Sequence, residues 1–325
     1  MPEGPEVRKF ADAVGSVLTG RVICSLDART REAKNWLATN GNRVVGRRVL
    51  SVRSRGKHLL GEIEGGYYFH SHLMMWGRWL TFIGHPPAEI DRRERARIVV
   101  KGGAAILYSG PIFNVGEGDP LQNIEHLDSL GPDVLPYDGI FDAKEFRRRL
   151  TLPEYRESTI GAAILNQRIA AGLGNYLRAE VLFECGLNPW QLVGQLKKKE
   201  LMCLSSNVPE LALRSYLSGA TASQTDRERM KTDPSLVYQQ GREMGTRHLV
   251  FRRTNLPCLR CSCPIRQLRQ AMTGERTKRT SNEQGGDTTI DEVEEDRSRI
   301  MYFCAHCQNV EIPQSKTKSP KKSNL

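Results

Sequence analysis

The sequence predicts an α+β multidomain protein: an N-terminal antiparallel β-sandwich, a helical domain and a C-terminal zinc-ribbon finger. Three observations carry this. Short apolar runs recur at residues 49–52, 58–63, 67–73, 79–83, 97–100 and 104–108, with Gly-Gly pairs at 65–66 and 102–103 placed as hairpin turns. From residue 144 to about 217 the apolar spacing turns helical. Five of the eight cysteines fall in the last 68 residues, and four of them form two CxxC pairs.

At 325 residues the chain is long enough for two domains and a small third module. Charged residues make up 26% and hydrophobic ones 39%, the balance of a globular protein rather than a disordered one. No apolar run is long enough to span a membrane, and MPEGPEVRKF lacks the apolar core of a secretory signal. The expectation is an intracellular protein with reduced thiols rather than disulfides. Its 48 basic and 37 acidic residues leave a net charge of +11. Residues 43–57 contribute six basic side chains (Arg43, Arg47, Arg48, Arg53, Arg55, Lys57) and no acid. That run reads either as a solvated strand surface or as a phosphate-facing one.

In Cys258-Leu-Arg-Cys261 and Cys304-Ala-His-Cys307 each pair sets two thiolates on one tight turn, two corners of a tetrahedral zinc site. The 42 residues between the pairs exceed the usual spacing. Residues 283–296, with seven acids and no base, explain the excess as a disordered insertion at a hairpin tip. Cys263 and His306 are alternative ligands.

At the N-terminus, removal of Met1 would expose the amine of Pro2. Gly4 and Pro5 open a helix, and Val7, Phe10 and Val14 bury one face of it. Glu3 and Glu6 read as dipole-serving acids, or as acids beside an amine nucleophile. An α-amino group has a reference pKa of about 7.7–8, against about 10.4 for lysine, so the terminal amine is far more often neutral near pH 7.5. A proline nitrogen attacking a sugar C1′ gives an iminium, and a neighbouring carboxyl can shuttle protons. Downstream, Gly172-Leu173-Gly174-Asn175 forms a tight turn with Asn175 as the N-cap of a helix that stops at Gly186. This reads as an anion site on helix N–H groups, or as a packed helical hairpin.

Together, the PEGPE stretch, Arg55-Gly56-Lys57, the Gly172–Asn175 turn and the paired CxxC ribbon resemble the formamidopyrimidine-DNA glycosylase/endonuclease VIII family. The resemblance runs in order over residues 1–312. It implies a β-sandwich with a leading helix over residues 1–130 and a linker with a helix–two-turns–helix domain over 131–255. A zinc finger with its acidic insertion at about 275–298 spans 256–312, and a basic disordered tail spans 313–325. The implied activity is that of a bifunctional base-excision repair enzyme, a DNA glycosylase and AP lyase. Pro2 attacks C1′ of a flipped, damaged nucleotide and β,δ-elimination nicks the strand. Glu3 matches the proton-transfer acid and Glu6 its support. Lys57, Asn175 and Arg299 match the phosphate-gripping residues. Met74, Met75 and Trp76 match the wedge that fills the gap left by the flipped base, although by composition alone they would pass for core.

The resemblance also implies one structural Zn2+ on Cys258, Cys261, Cys304 and Cys307, a monomer, and damaged double-stranded DNA as partner. Ser71-His72, Gly77-Arg78-Trp79 and residues 130–135 look like the endonuclease VIII branch. Residues 109–116, SGPIFNVG, lack the arginine that faces the orphaned cytosine in the oxidised-purine branch. The expected substrates are therefore oxidised pyrimidines. The alternatives are an 8-oxoguanine/formamidopyrimidine-type glycosylase and a catalytically silent damaged-DNA-binding zinc protein.

Overall fold

The computed structural model describes residues 2–239, 241, 243–271 and 298–311. The leading helix α1 (Gly4–Leu18) turns Val7, Ala11, Val14, Val17 and Leu18 inward. That stripe completes the core of two four-stranded antiparallel sheets. One sheet orders β1 (Ile23–Ala28), β6 (Glu94–Val100), β7 (Gly103–Tyr108) and β5 (Arg78–Ile83). The other orders β2 (Val49–Arg55), β3 (His58–Ile63), β4 (Tyr67–His72) and β8 (Ile112–Glu117). Val52, Leu59 and Phe69 from one sheet meet Trp79, Ile98 and Leu107 from the other, the dry interface of a sandwich. Gly65 and Gly66, at φ 89° and 80°, make the β3–β4 hairpin turn that only glycine adopts at low cost.

Six of the eight strands lie where the apolar runs predict. The spacing did not predict β1, β8 or the helix α2 (Arg31–Val44), which packs on β1 and β8. In β1 the exposed Cys24 and Asp27 interrupt the apolar pattern.

The helical region holds α3 (Pro120–Asn123), α4 (Ala143–Leu150), α5 (Ile160–Ala163), α6 (Asn175–Glu184), α7 (Lys198–Ser218) and α8 (Gln224–Thr232). The two final strands, β9 (Arg266–Ala271) and β10 (Ser298–Phe303), pair antiparallel from Ser298 opposite Ala271 to Phe303 opposite Arg266. The expected hairpin is present, while residues 283–296 and the tail at 313–325 lie outside the described residues. This hairpin shares one core with the helices, in which Phe183 and Leu204 join Met301, Phe303 and Cys304. The buried carboxylate of Glu180 fastens the connection between them. It accepts the backbone N–H groups of Leu249 (2.7 Å), Val250 (2.9 Å) and Phe251 (2.9 Å) and the Thr221 hydroxyl (2.7 Å).

The structure corrects the expectation of reduced thiols throughout. Cys185, just past α6, and Cys203, on α7, form a disulfide. The packing of α6 on α7 brings their Cα atoms to 5.8 Å, within the range a disulfide spans.

Candidate active site

Four backbone segments distant in sequence meet at one point. The Gly4 N–H donates to the Gly172 carbonyl (2.8 Å), and the Val134 N–H to the Ala171 carbonyl (2.9 Å). Asp133, in the linker, accepts the Gly56 N–H (2.6 Å) and the Leu135 N–H (3.0 Å). The N-terminus, the β2–β3 turn, the linker and the turn before α6 are thereby locked together.

Glu3 crosses this junction and is buried. Its carboxylate accepts N–H groups from Gly174 (2.9 Å), Tyr176 (2.8 Å) and Leu177 (3.2 Å) at the first turn of α6. A β-carbon on Gly174 would sit 2.3 Å from the Glu3 carboxyl carbon, so glycine there is a condition of the contact. The N-cap of α6 is Gly174 and not Asn175. The N–H groups a capping side chain would take are already held by Glu3, which acts as the cap from another domain. The Asn175 amide nitrogen instead donates to the Ile300 carbonyl of β10 (3.0 Å).

Glu6 holds the Glu3 N–H (2.9 Å) and accepts the Tyr176 hydroxyl (3.1 and 3.2 Å), which also pairs with Ser215 (3.0 Å). Burial pushes the Glu6 carboxyl up. Burial likewise pushes Glu3 up to about 7, against the downward pull of Lys57 and the α6 N–H groups. Lys57 is pushed down by burial, opposed by Glu3 and reinforced by Arg299. Lys57 thus interacts electrostatically with Glu3 and with Arg299. The rest of the basic run turns elsewhere. Arg43 pairs with Glu117 (3.4 Å), Arg53 with Asp138 (2.8 Å), and Arg55 donates to the Leu130 carbonyl (3.2 Å). The arginines of residues 43–57 thus differ in their surroundings, two pairing with exposed acids of other segments and one with a backbone carbonyl.

Met74, Met75 and Trp76 stand on the β4–β5 loop, 44%, 60% and 78% exposed. They are not core. The loop is built rigidly: the Gly77 N–H closes on the Leu73 carbonyl (2.8 Å), and the Met74 N–H donates to His72 Nδ1 (3.2 Å). His72 stands edge-on to His58, which stacks on His70 and shares a 2.9 Å hydrogen bond with it. Burial lowers His58 to about 3 and His70 and His72 to about 4, so this stack adds no charge beside Lys57 at neutral pH. No periodicity signalled it.

The four cysteine sulfurs of Cys258, Cys261, Cys304 and Cys307 lie within 4.8 Å of one another. Cys261 and Cys304 are 3.4 Å apart, and Cys258 and Cys307 3.9 Å. A tetrahedral site with Zn–S bonds of about 2.3 Å needs sulfurs about 3.8 Å apart, so the donor set fits. Cys263 and His306 are not part of this group. Among the described residues, no helix is long and apolar enough to cross a membrane.

A sandwich, a helix-turn site with a capped buried acid, and a four-cysteine hairpin define a DNA-glycosylase scaffold. Comparison with known proteins agrees. The formamidopyrimidine-DNA glycosylase N-terminal domain matches residues 1–111, and the H2TH domain of the same enzyme matches residues 130–226. Endonuclease 8 of Pectobacterium carotovorum is 28% identical over 308 residues, 95% of this chain and 100% of the relative. Endonuclease 8 of an Enterobacter strain is 31% identical over 216 residues, 66% of this chain and 80% of the relative. Among solved structures, Lactococcus lactis Fpg complexed with N7-benzyl-Fapy-dG DNA shares the fold at a TM-score of 0.68 and 21% identity, covering 94% of this chain and 99% of that one. The chain belongs to the formamidopyrimidine-DNA glycosylase/endonuclease VIII family and is a base-excision repair DNA glycosylase and AP lyase.

Sequence reasoning missed Tyr176, Asp133 and Arg178 as parts of the site. Only the i, i+3 spacing from Asn175 to Arg178 signalled any of them.

The raised Glu3 has a consequence for stability. The folded protein keeps a proton on Glu3 up to about pH 7, while the unfolded chain loses it near the ordinary glutamate value of 4.5. The contribution is full below 4.5 and is lost as pH rises through 7. Urea unfolding of wild type and Glu3→Gln at about pH 5 and about pH 8 should show the wild type losing about 2 to 3 kcal/mol relative to the variant. Parallel pH dependences would contradict the shift.

Proposed function

We propose that this chain excises oxidised bases, pyrimidines foremost, from double-stranded DNA through a Schiff base on Pro2. The observation that carries the reading is the buried Glu3 directly following Pro2, its carboxylate held on the first turn of α6 and coupled electrostatically to Lys57.

With Met1 removed, the Pro2 nitrogen attacks C1′ as the C1′–base bond breaks and the base leaves with a proton. Glu3 donates a proton to the opening sugar ring and the resulting amine adduct collapses to the iminium. Loss of a C2′ proton then expels the 3′ phosphate, and a second elimination expels the 5′ phosphate. A carboxyl near pKa 7 suits both directions of proton transfer. Glu6, tied to the Glu3 backbone and to Tyr176, supports Glu3 without touching DNA. Lys57, Asn175 and Arg299 grip phosphates flanking the lesion, and Met74, Met75 and Trp76 wedge into the vacated stack. The β7–β8 turn, Ser109-Gly110-Pro111, carries no arginine to read an orphaned cytosine, which supports the pyrimidine preference.

A zinc ion on the four cysteines would act structurally, cross-linking the two CxxC turns beneath the β9–β10 hairpin that carries Arg299. It takes no part in the reaction.

Borohydride trapping on a 5-hydroxyuracil duplex should give a covalent adduct that Pro2→Gly abolishes; an adduct unchanged in Pro2→Gly would overturn the nucleophile. In the same panel, 8-oxoguanine opposite cytosine should be the poorer substrate, and the reverse ranking would overturn the pyrimidine preference. Metal analysis should find one zinc per wild-type chain and its loss, together with DNA binding, in Cys304→Ser. Full zinc content in that variant would remove Cys304 from the ligand set.

A further inference from the structure

Arg178 sits one turn along α6 from Asn175 and is completely buried. Its Nη2 donates to the Asn175 side-chain oxygen (2.6 Å) and to the Ile300 carbonyl (3.0 Å). Its Nη1 donates to the Gly161 carbonyl (3.2 Å) and to the Gln270 side-chain oxygen (3.3 Å), and its Nε has no partner. All four acceptors are neutral oxygens. A guanidinium held among neutral groups is costly unless an anion offsets it. Burial accordingly lowers it to about 10, and it feels both Glu3 and Arg299.

Two consequences follow from the hydrogen bonds. With its oxygen committed to Arg178, the Asn175 amide has one orientation: its NH2 group puts one hydrogen on the Ile300 carbonyl and leaves the other for a ligand. The same guanidinium grips both strands of the zinc hairpin, Gln270 on β9 and Ile300 on β10, the residue after Arg299. Gln270 is itself fixed by the Thr159 hydroxyl (3.0 Å) and the Pro189 carbonyl (2.8 Å).

We propose that Arg178 is a positioning residue for phosphate recognition: it orients the Asn175 amide, locks the hairpin that carries Arg299 to α6, and sets a buried cation behind the phosphate. This rests on the reading of Asn175 and Arg299 as phosphate contacts. Arg178 itself, having no exposed surface, touches no DNA.

The test is a double-mutant cycle on binding of the full-length, zinc-loaded protein to a duplex with a tetrahydrofuran abasic analogue. Asn175→Ala and Arg178→Met should each weaken binding about tenfold, with zinc content unchanged, and the double variant should bind no more weakly than the worse single one. Arg178→Lys keeps the charge but not the fork, and it serves as the second variant if Arg178→Met loses zinc. It should also weaken binding and couple to Asn175→Ala. Wild-type affinity in Arg178→Lys, or losses that multiply in the double variants, would overturn the inference while leaving the phosphate reading intact. Wild-type affinity in Asn175→Ala would overturn both.

Discussion

Everything at this site depends on one carboxylate reaching across a domain boundary. Glu3 starts a helix on the β-sandwich side, and its side chain ends on three N–H groups at the start of α6. Those groups would otherwise be orphaned inside the protein, at a cost of about 1–3 kcal/mol each. Removing Glu3 therefore uncaps a helix and opens a domain junction as well as deleting an acid.

The same contact tunes the chemistry. The α6 N–H groups and Lys57 favour the ionised carboxylate, and burial favours the neutral acid. Their balance near 7 leaves Glu3 able both to give and to take a proton. Lys57 and Arg178 each feel the attraction of Glu3 more strongly than the repulsion of Arg299. The neutral histidine stack keeps further charge away while fixing the base of the Met74–Trp76 loop.

Much of this was legible in the residues. Strands β2 to β7 lie on the short apolar runs and their glycine pairs, and the CxxC spacing marked all four sulfurs that cluster. What escaped was long-range. Asn175 has the composition of an N-cap, and only a carboxylate 172 positions upstream (175 − 3) displaces it from that role. The basic run at 43–57 looked uniform because its partners, Glu117, Leu130 and Asp138, lie on other segments. Arg178 resembles any helix-surface arginine until β9 and β10 bury it. The Cys185–Cys203 pairing needs the packing of α6 on α7, which no sequence spacing encodes.

The protonation of Glu3 is open to direct measurement. Carbon-13 NMR of the side-chain carboxyls of glutamate-labelled protein, with Glu3→Gln assigning the resonance, follows that titration alone. A midpoint near 7 is the predicted result. A midpoint at the ordinary glutamate value of about 4.3 would contradict the account of Glu3 as a buried, proton-holding acid.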